Sequence, residues 1–163
     1  MQRYFAYGSN MCSARLTART PSARAIGVGH VTGRELRFHK PSQDGSGKAD
    51  AAWVADLRSV VWGVVYAIDD TERRALDRAE GGYEAVPIVA VMQHETLECF
   101  LYQAVGRRDA GLQPYCWYKA YLVQGAREHG LPSDYRRMLE ATAFVRDPDA
   151  LRRQRNRVGG ADQ

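Results

Sequence analysis

Close to its first residue the chain reads Tyr4-Phe5-Ala6-Tyr7-Gly8-Ser9-Asn10-Met11. The aromatic half of this stretch is typical of a short strand, which Gly8 ends. Ser9 and Asn10 are good helix N-caps and precede a stretch compatible with a helix, residues 11–19. A strand that turns into a helix in this way directs several backbone N–H groups at one point, an arrangement suited to a carboxylate or phosphate. An ordinary edge strand and turn is the alternative interpretation.

Strand and helix patterns follow along the rest of the chain, without an internal repeat. Strands are predicted at 28–40 (broken by glycines), 52–56, 60–68, 83–93 and 97–105, with a loop at 41–49, and helices at 71–80 and 116–157, interrupted at 130–132. The run over 60–68 is apolar on both faces, which predicts a buried central strand. Ser133 is placed to cap the helix that follows the interruption. Together these patterns predict an α+β fold: a mixed or antiparallel sheet, strongly curved or barrel-like, with helices packed around it.

Length and composition favour a single soluble domain. The chain has 163 residues, enough for a core that folds without disulfides or metals. Hydrophobic residues at 45% and charged residues at 26% are ordinary for a globular protein. No apolar run is long enough to span a membrane, and a signal peptide's apolar region is missing, so a cytoplasmic location is expected. A monomer and a homodimer are both compatible with the sequence.

The positive charge is concentrated near the end of the chain. The net charge is +4, with Arg152, Arg153, Arg155 and Arg157 close together before a glycine-containing finish. We expect a domain over 1–147 and a mobile, solvated basic tail over 148–163. Nucleic-acid binding through this tail is the alternative, but no recognition motif accompanies it.

Cysteines and histidines argue against a metal site or a disulfide framework. Cys12, Cys99 and Cys116 form no CxxC pair and are odd in number, as expected for reduced thiols. The four histidines, His30, His39, His94 and His129, lack the spacing of metal ligands.

Glu80 occupies an unfavourable position if stability alone selected it. It lies in the last turn of a predicted helix, where the helix dipole disfavours negative charge, and it precedes Gly81-Gly82. Such a glutamate is either solvated at the helix end or directed inward as a catalytic carboxylate. A buried carboxylate would have a raised pKa, as a general base acting near neutral pH requires.

Four motifs in a fixed order carry a family resemblance. They are the YGSN turn at 7–10, Trp62-Gly63-Val64, the LDxxEG motif at 76–81 and the GAxxxGLP motif at 125–132. Together they resemble the gamma-glutamylcyclotransferase family over about residues 2–142. This resemblance implies a small mixed β-barrel with a cavity at its mouth. It also implies the release of 5-oxoproline from a γ-glutamyl amine or amino acid, a small-molecule substrate, without metal or cofactor.

The resemblance also implies the roles of individual residues. Glu80 corresponds to the acid/base glutamate, which moves protons during cyclisation. The residues implied to hold the glutamyl group are Tyr4, Phe5, Ala6, Tyr7, Gly8, Ser9, Asn10, Tyr83 and Tyr118. Without the resemblance, Tyr118 is equally well explained as a half-buried aromatic side chain at a helix start.

Several alternatives remain open at this point. Ser9 as a nucleophile would need a histidine such as His30 or His39 nearby, and GSN differs from the strained GxSxG turn of serine hydrolases. A non-catalytic binding module of the same fold is a second alternative. The leaving amine is undetermined: Arg107 and Arg108 are either solvated or meet a carboxylate on the leaving group.

Overall fold

A computed structural model describes residues 1–158 of the chain. The strands are β1 (Gln2–Ala6), β2 (Arg24–Thr32), β3 (Arg34–Pro41), β4 (Gly47–Trp53), β5 (Val60–Ile68), β6 (Tyr83–Met92) and β7 (Thr96–Ala104). The helices are α1 (Ser13–Thr17), α2 (Arg73–Ala79), α3 (Cys116–Glu128), α4 (Ser133–Ala141) and α5 (Ala150–Arg155). No helix within these residues is long and apolar enough to cross a membrane.

Five strands close into a barrel in the order β1-β5-β2-β6-β7. Strand β1 pairs antiparallel with β5, placing Tyr4 opposite Tyr66, and parallel with β7, placing Tyr4 opposite Phe100. Strands β3 and β4 form a separate antiparallel pair. This architecture confirms the predicted α+β fold with a small mixed barrel and flanking helices.

Strand β5 covers 60–68, as its apolar run predicted. Val61, Val64, Val65 and Ile68 are fully buried, and β5 lies between β1 and β2, so it is a central strand of the barrel. Burial of such side chains stabilises the fold by about 1.5–3 kcal/mol each relative to exposure. The antiparallel pair β6–β7 also lies within one residue of its predicted bounds at each end.

The predicted helix over 11–19 is wrong in its length and its cap. A short 3-10 turn covers Ser9–Met11, Cys12 is extended, and only Ser13–Thr17 is α-helical. Gly8 is the N-cap residue of the turn, and no side chain caps either segment. The break has a tertiary cause: α3 packs so closely here that a Cβ on Gly125 would lie 2.5 Å from the Cys12 nitrogen.

Other boundaries also differ from the prediction. The broken pattern over 28–40 is two strands joined at Gly33, whose φ of 70° favours glycine. Strand β4 begins at Gly47, inside the predicted loop, because pairing with β3 extends it. Residues 142–149 separate α4 from α5, and Pro132, not Ser133, is the cap residue of α4.

Helix α5 lies within the segment predicted as a basic tail. The buried carboxylate of Asp147 accepts two hydrogen bonds of 2.6 Å from Arg152 and one of 2.8 Å from the Trp117 indole. Arg153 donates to the Asp147 carbonyl oxygen. Two of the four arginines are therefore held against the domain. Residues 159–163, the end of the predicted tail, lie outside the described residues.

Candidate active site

A narrow cavity of about 30 Å³ lies where the N-terminal turn, the end of α2 and the start of α3 meet. Its walls are mostly aromatic and polar. The lining residues are Tyr4, Tyr7, Gly8, Ser9, Asn10, Ala49, Glu80, Tyr83, Tyr102 and Tyr118. The structure therefore gathers residues from the first ten positions, the middle and the last third of the chain at one point.

Glu80 reaches this cavity because helix α2 ends at it. The Glu80 N–H still donates to the Leu76 carbonyl at 3.1 Å, but its own φ and ψ of −95° and 44° leave the helix. Gly82, with φ of 79°, turns the chain back into β6, and the Tyr83 N–H donates to the Glu80 carbonyl. The Glu80 side chain is 15% exposed. The side chain is therefore directed inward and is not solvated at the helix end.

The carboxylate of Glu80 is held by polar partners on one side. The Asn10 side-chain amide donates to Oε1 at 2.8 Å, and Nη1 of Arg19 lies 3.5 Å from the same oxygen. Burial raises the pKa of Glu80, and the opposing effects of Arg19, Asn10, Arg15 and Lys40 offset this only in part. A buried carboxylate with a raised pKa is suited to accepting and returning a proton near neutral pH.

Asn10 connects the N-terminal turn to the rest of the site. Besides Glu80, its amide donates to the Tyr4 hydroxyl at 3.1 Å, and its carbonyl oxygen accepts from Arg19 at 3.2 Å. Its side chain is thus used for the site and not for capping. Gly8 allows the close approach that the turn needs, since a Cβ there would lie 3.3 Å from the Tyr118 hydroxyl.

Tyr83 and Tyr118 are both anchored to the backbone of Ala49 in β4. Tyr83 donates its hydroxyl proton to the Ala49 carbonyl at 2.7 Å, and the Ala49 N–H donates to the Tyr118 hydroxyl at 3.2 Å. Burial raises the pKa of Tyr118, so the phenol stays protonated at neutral pH. With its oxygen accepting from Ala49, the Tyr118 hydroxyl retains its proton as a donor at the cavity wall.

Most of the residues predicted for the site come together, and two do not. Phe5 and Ala6 are fully buried in β1, where they pair with Val65 and Val64, and they do not line the cavity. The sequence analysis missed Ala49, Tyr102, Arg19 and Lys40. No local pattern marks these four, since each reaches the site through tertiary packing.

The two loop arginines considered for the leaving group point elsewhere. Arg108 donates to the carbonyl oxygens of Gly106 and Ala104, and its Nε lies 3.6 Å from buried Asp50. Arg107 is 80% exposed and pairs with Asp109. Neither arginine lines the cavity.

The structure does not supply the base that a Ser9 nucleophile would need. The Ser9 hydroxyl accepts from Nε of Arg15 at 3.1 Å. His39 is hydrogen-bonded to Asp50 at 2.7 Å, and His30 packs on Trp62. Within residues 1–158, no hydrogen bond joins Ser9 to a histidine, and no group of three or more acidic, His or Cys side chains is arranged to hold a metal ion.

The closed five-stranded barrel, its flanking helices and the hydrogen-bonded Glu80 carboxylate in a tyrosine-lined cavity define the class: a small α+β barrel protein with a carboxylate at its candidate site. The AIG2-like family model matches residues 60–139. The gamma-glutamylcyclotransferases of Bos taurus and Homo sapiens are 31% and 29% identical over 150 residues, covering 85% of this chain and 77% of each relative. A solved gamma-glutamyl cyclotransferase superposes with a TM-score of 0.82 at 28% identity, covering 88% of this chain and 89% of that one. The chain belongs to the gamma-glutamylcyclotransferase family, which confirms the resemblance carried by its motifs.

Proposed function

We propose that this protein is a cyclotransferase that releases 5-oxoproline from a γ-glutamyl amine or γ-glutamyl amino acid. The observation that carries the proposal is the Glu80 carboxylate, which is buried in a tyrosine-lined cavity and hydrogen-bonded by Asn10 of the YGSN turn. The names of the relatives, gamma-glutamylcyclotransferases of cattle and human, support the same activity.

In this reaction the substrate carries its own nucleophile. The α-amino nitrogen attacks the γ-carbonyl carbon and closes a five-membered ring, and the bond between that carbon and the leaving nitrogen breaks. Well-oriented intramolecular reactions reach effective molarities of about 10⁵ M or more, so holding the folded glutamyl group supplies much of the acceleration. Tyrosine walls together with the backbone N–H groups of the N-terminal turn are suited to that task.

Glu80 supplies the proton transfers in this proposal. As a carboxylate it takes a proton from the substrate ammonium, which frees the amine to attack. It then returns that proton to the departing nitrogen and takes the second proton from the new ring nitrogen, which passes to the released amine, so the products are 5-oxoproline and an ammonium. The two protons lost by the substrate ammonium are thus the two gained by the leaving nitrogen, and the scheme uses no nucleophilic side chain, metal or organic cofactor.

The N-terminal turn binds the glutamyl group. The first N–H groups of a helical turn have no intrahelical acceptor, and we assign those of Gly8, Ser9 and Asn10 to the substrate α-carboxylate. Holding this carboxylate also sets the direction of the neighbouring amine. Tyr118 contributes a neutral hydroxyl donor, and Tyr4, Tyr7 and Tyr83 complete the walls.

The experiment that tests the function is detection of 5-oxoproline by mass spectrometry. The purified protein is incubated with γ-glutamyl amino acids, γ-glutamyl amines and glutathione, and we expect 5-oxoproline and the free amine in equal amounts from at least one substrate. Binding of these compounds without any 5-oxoproline would contradict the proposal and favour a non-catalytic binding module.

A second prediction concerns the pH dependence of turnover. The rate should rise with pH as Glu80 deprotonates, with a midpoint above the ordinary pKa of a glutamate because burial raises that of Glu80. Arg19 favours the ionised form, so Arg19→Met raises the Glu80 pKa further and moves this rising limb to higher pH. The Arg19→Lys control keeps the charge and should lie near the wild type. If the rise of turnover with pH stays in place or moves to lower pH in Arg19→Met, Glu80 is not the group that controls it.

We also propose a cytoplasmic location. Cys12, Cys99 and Cys116 are free thiols and all are buried, which is consistent with a reducing compartment.

A further inference from the structure

The charges around Glu80 are unbalanced. Three cations act on its carboxylate, those of Arg19, Arg15 and Lys40. The two arginines are engaged with the N-terminal turn, since Arg15 donates to the Ser9 hydroxyl and Arg19 to the Asn10 carbonyl oxygen. A γ-glutamyl group with its ammonium and α-carboxylate brings no net charge. The site therefore retains a positive charge that the glutamyl group does not neutralise.

Lys40 differs from the two arginines because it has no anionic partner in contact. Among residues 1–158, no carboxylate lies within 4.0 Å of its ammonium group, whereas Lys48 on the paired strand forms a 2.7 Å ion pair with Asp44. The Lys40 ammonium lies 4.6 Å from the centre of the Tyr83 ring. Its pKa is lowered by partial burial, against the opposing effects of Glu80 and Asp44. A half-buried cation without an ion pair favours an anionic ligand.

The Lys40 ammonium group lies beside the turn that follows Glu80, the residue proposed to protonate the leaving nitrogen. A Cβ on Gly82 would lie 3.0 Å from the Lys40 ammonium, so this group contacts the turn that directly follows Glu80. In the proposed reaction the leaving nitrogen sits beside Glu80, which protonates it. If the leaving group is an amino acid, its carboxylate carbon is two bonds from that nitrogen. A cation that adjoins the turn after Glu80 is therefore placed to meet this carboxylate.

We propose that Lys40 binds the carboxylate of the leaving amino acid and is the residue that selects γ-glutamyl amino acids over uncharged γ-glutamyl amines. This inference rests on the proposed cyclotransferase function and deepens it. The Lys40 ammonium group is oriented by the face of the Tyr83 ring and can still form a charge-assisted hydrogen bond to a carboxylate. A leaving amine that carries its own positive charge in this position is repelled.

The test compares two substrates that differ only in the leaving carboxylate, γ-glutamyl-alanine and γ-glutamyl-ethylamine. With the wild-type protein, kcat/KM should be about 10-fold or more higher for γ-glutamyl-alanine, the size expected for one hydrogen bond to a charged group. Lys40→Met replaces the ammonium group by an uncharged side chain of similar length. It should lower kcat/KM for γ-glutamyl-alanine about 10- to 100-fold more than it lowers kcat/KM for γ-glutamyl-ethylamine.

Two controls separate this role from others. Lys40→Arg retains the positive charge and should retain most of the preference. Arg107→Met removes an exposed cation from the loop and should change neither substrate. Because Lys40 also acts on the pKa of Glu80, Lys40→Met shifts the pH dependence for both substrates together, so the ratio of their kcat/KM values isolates the carboxylate contact.

The outcomes distinguish this inference from the function on which it rests. A loss of preference confined to Lys40→Met supports it. Equal losses for both substrates, or an unchanged ratio, overturn the role of Lys40 while the cyclotransferase function stands. If the wild-type protein forms no 5-oxoproline from either of these substrates or from any other γ-glutamyl compound, both proposals are overturned.

Discussion

Replacing Glu80 with glutamine is expected to reduce the turnover of γ-glutamyl substrates about 10²-fold or more. Glutamine keeps the size of the side chain and has an oxygen that can accept from the Asn10 amide. In the wild type this amide donates to Glu80 Oε1 at 2.8 Å. It cannot take a proton from the substrate ammonium or return one to the leaving nitrogen. The loss should therefore appear in kcat, with only a modest change in substrate binding.

This variant should fold as well as the wild type. Burial raises the pKa of Glu80, so above that pKa the ionised carboxylate disfavours the folded state relative to the unfolded chain. A neutral glutamine removes this cost, and the melting temperature should be equal or higher at neutral pH. Calorimetry together with 5-oxoproline release separates the chemical loss from unfolding.

The matched control is Glu95→Gln, which makes the same change at an exposed turn between β6 and β7. It should leave turnover and melting temperature unchanged. Turnover of Glu80→Gln within a few-fold of the wild type would show that Glu80 is not the acid/base.

Replacing Gly125 with alanine is expected to destabilise the protein and impair the site together. The new Cβ would lie 2.5 Å from the carbonyl carbon of Met11 and from the Cys12 nitrogen. These are backbone atoms, so no side-chain rotation relieves the contact, and α3 must move away from the N-terminal turn. Alanine gains about 1 kcal/mol of helix propensity over glycine, but overpacking of this kind costs about 1–3 kcal/mol and occasionally more.

Because the contact is with backbone atoms, the cost should lie at the upper end of that range, which leaves a net loss of about 2 kcal/mol in the free energy of unfolding, measured by urea denaturation. Turnover should also fall, because Met11 is adjacent to Asn10 and displacement of the turn moves the Asn10 amide away from Glu80. Gly81→Ala is the control for stability: a Cβ there meets nothing within 4 Å. Its unfolding free energy should stay within about 0.5 kcal/mol of wild type. An unchanged denaturation midpoint in Gly125→Ala would contradict the close packing of α3 on the turn.

Strands were predicted best where the pattern of apolar residues was strongest. Residues 60–68 are apolar on both faces. Strand β5 has those bounds because the whole run is buried or half-buried in the barrel. Asp69 caps the 3-10 turn Asp70–Glu72 by accepting a hydrogen bond from the Thr71 N–H, a role for which aspartate is well suited.

Helix caps were predicted wrongly where a polar side chain has a stronger hydrogen-bond partner elsewhere in the fold. Ser9 and Asn10 are good N-caps by residue type, yet Ser9 accepts from Arg15 and Asn10 donates to Glu80. A capping preference describes what a side chain does with its own helix. Contacts with residues distant in sequence override it, and such contacts are not visible in a local pattern.

The sequence by itself determined the order and type of most elements, the family and the candidate carboxylate, since alternating or helical patterns and ordered motifs are local properties of the chain. Only the tertiary structure decided which side chains surround that carboxylate. Arg19, Lys40 and Ala49 reach Glu80 or its tyrosine neighbours, whereas Phe5 and Arg107 do not. The physical reason is that barrel closure and the packing of α3 on the N-terminal turn bring together groups far apart in sequence, and the geometry of those contacts depends on the whole core.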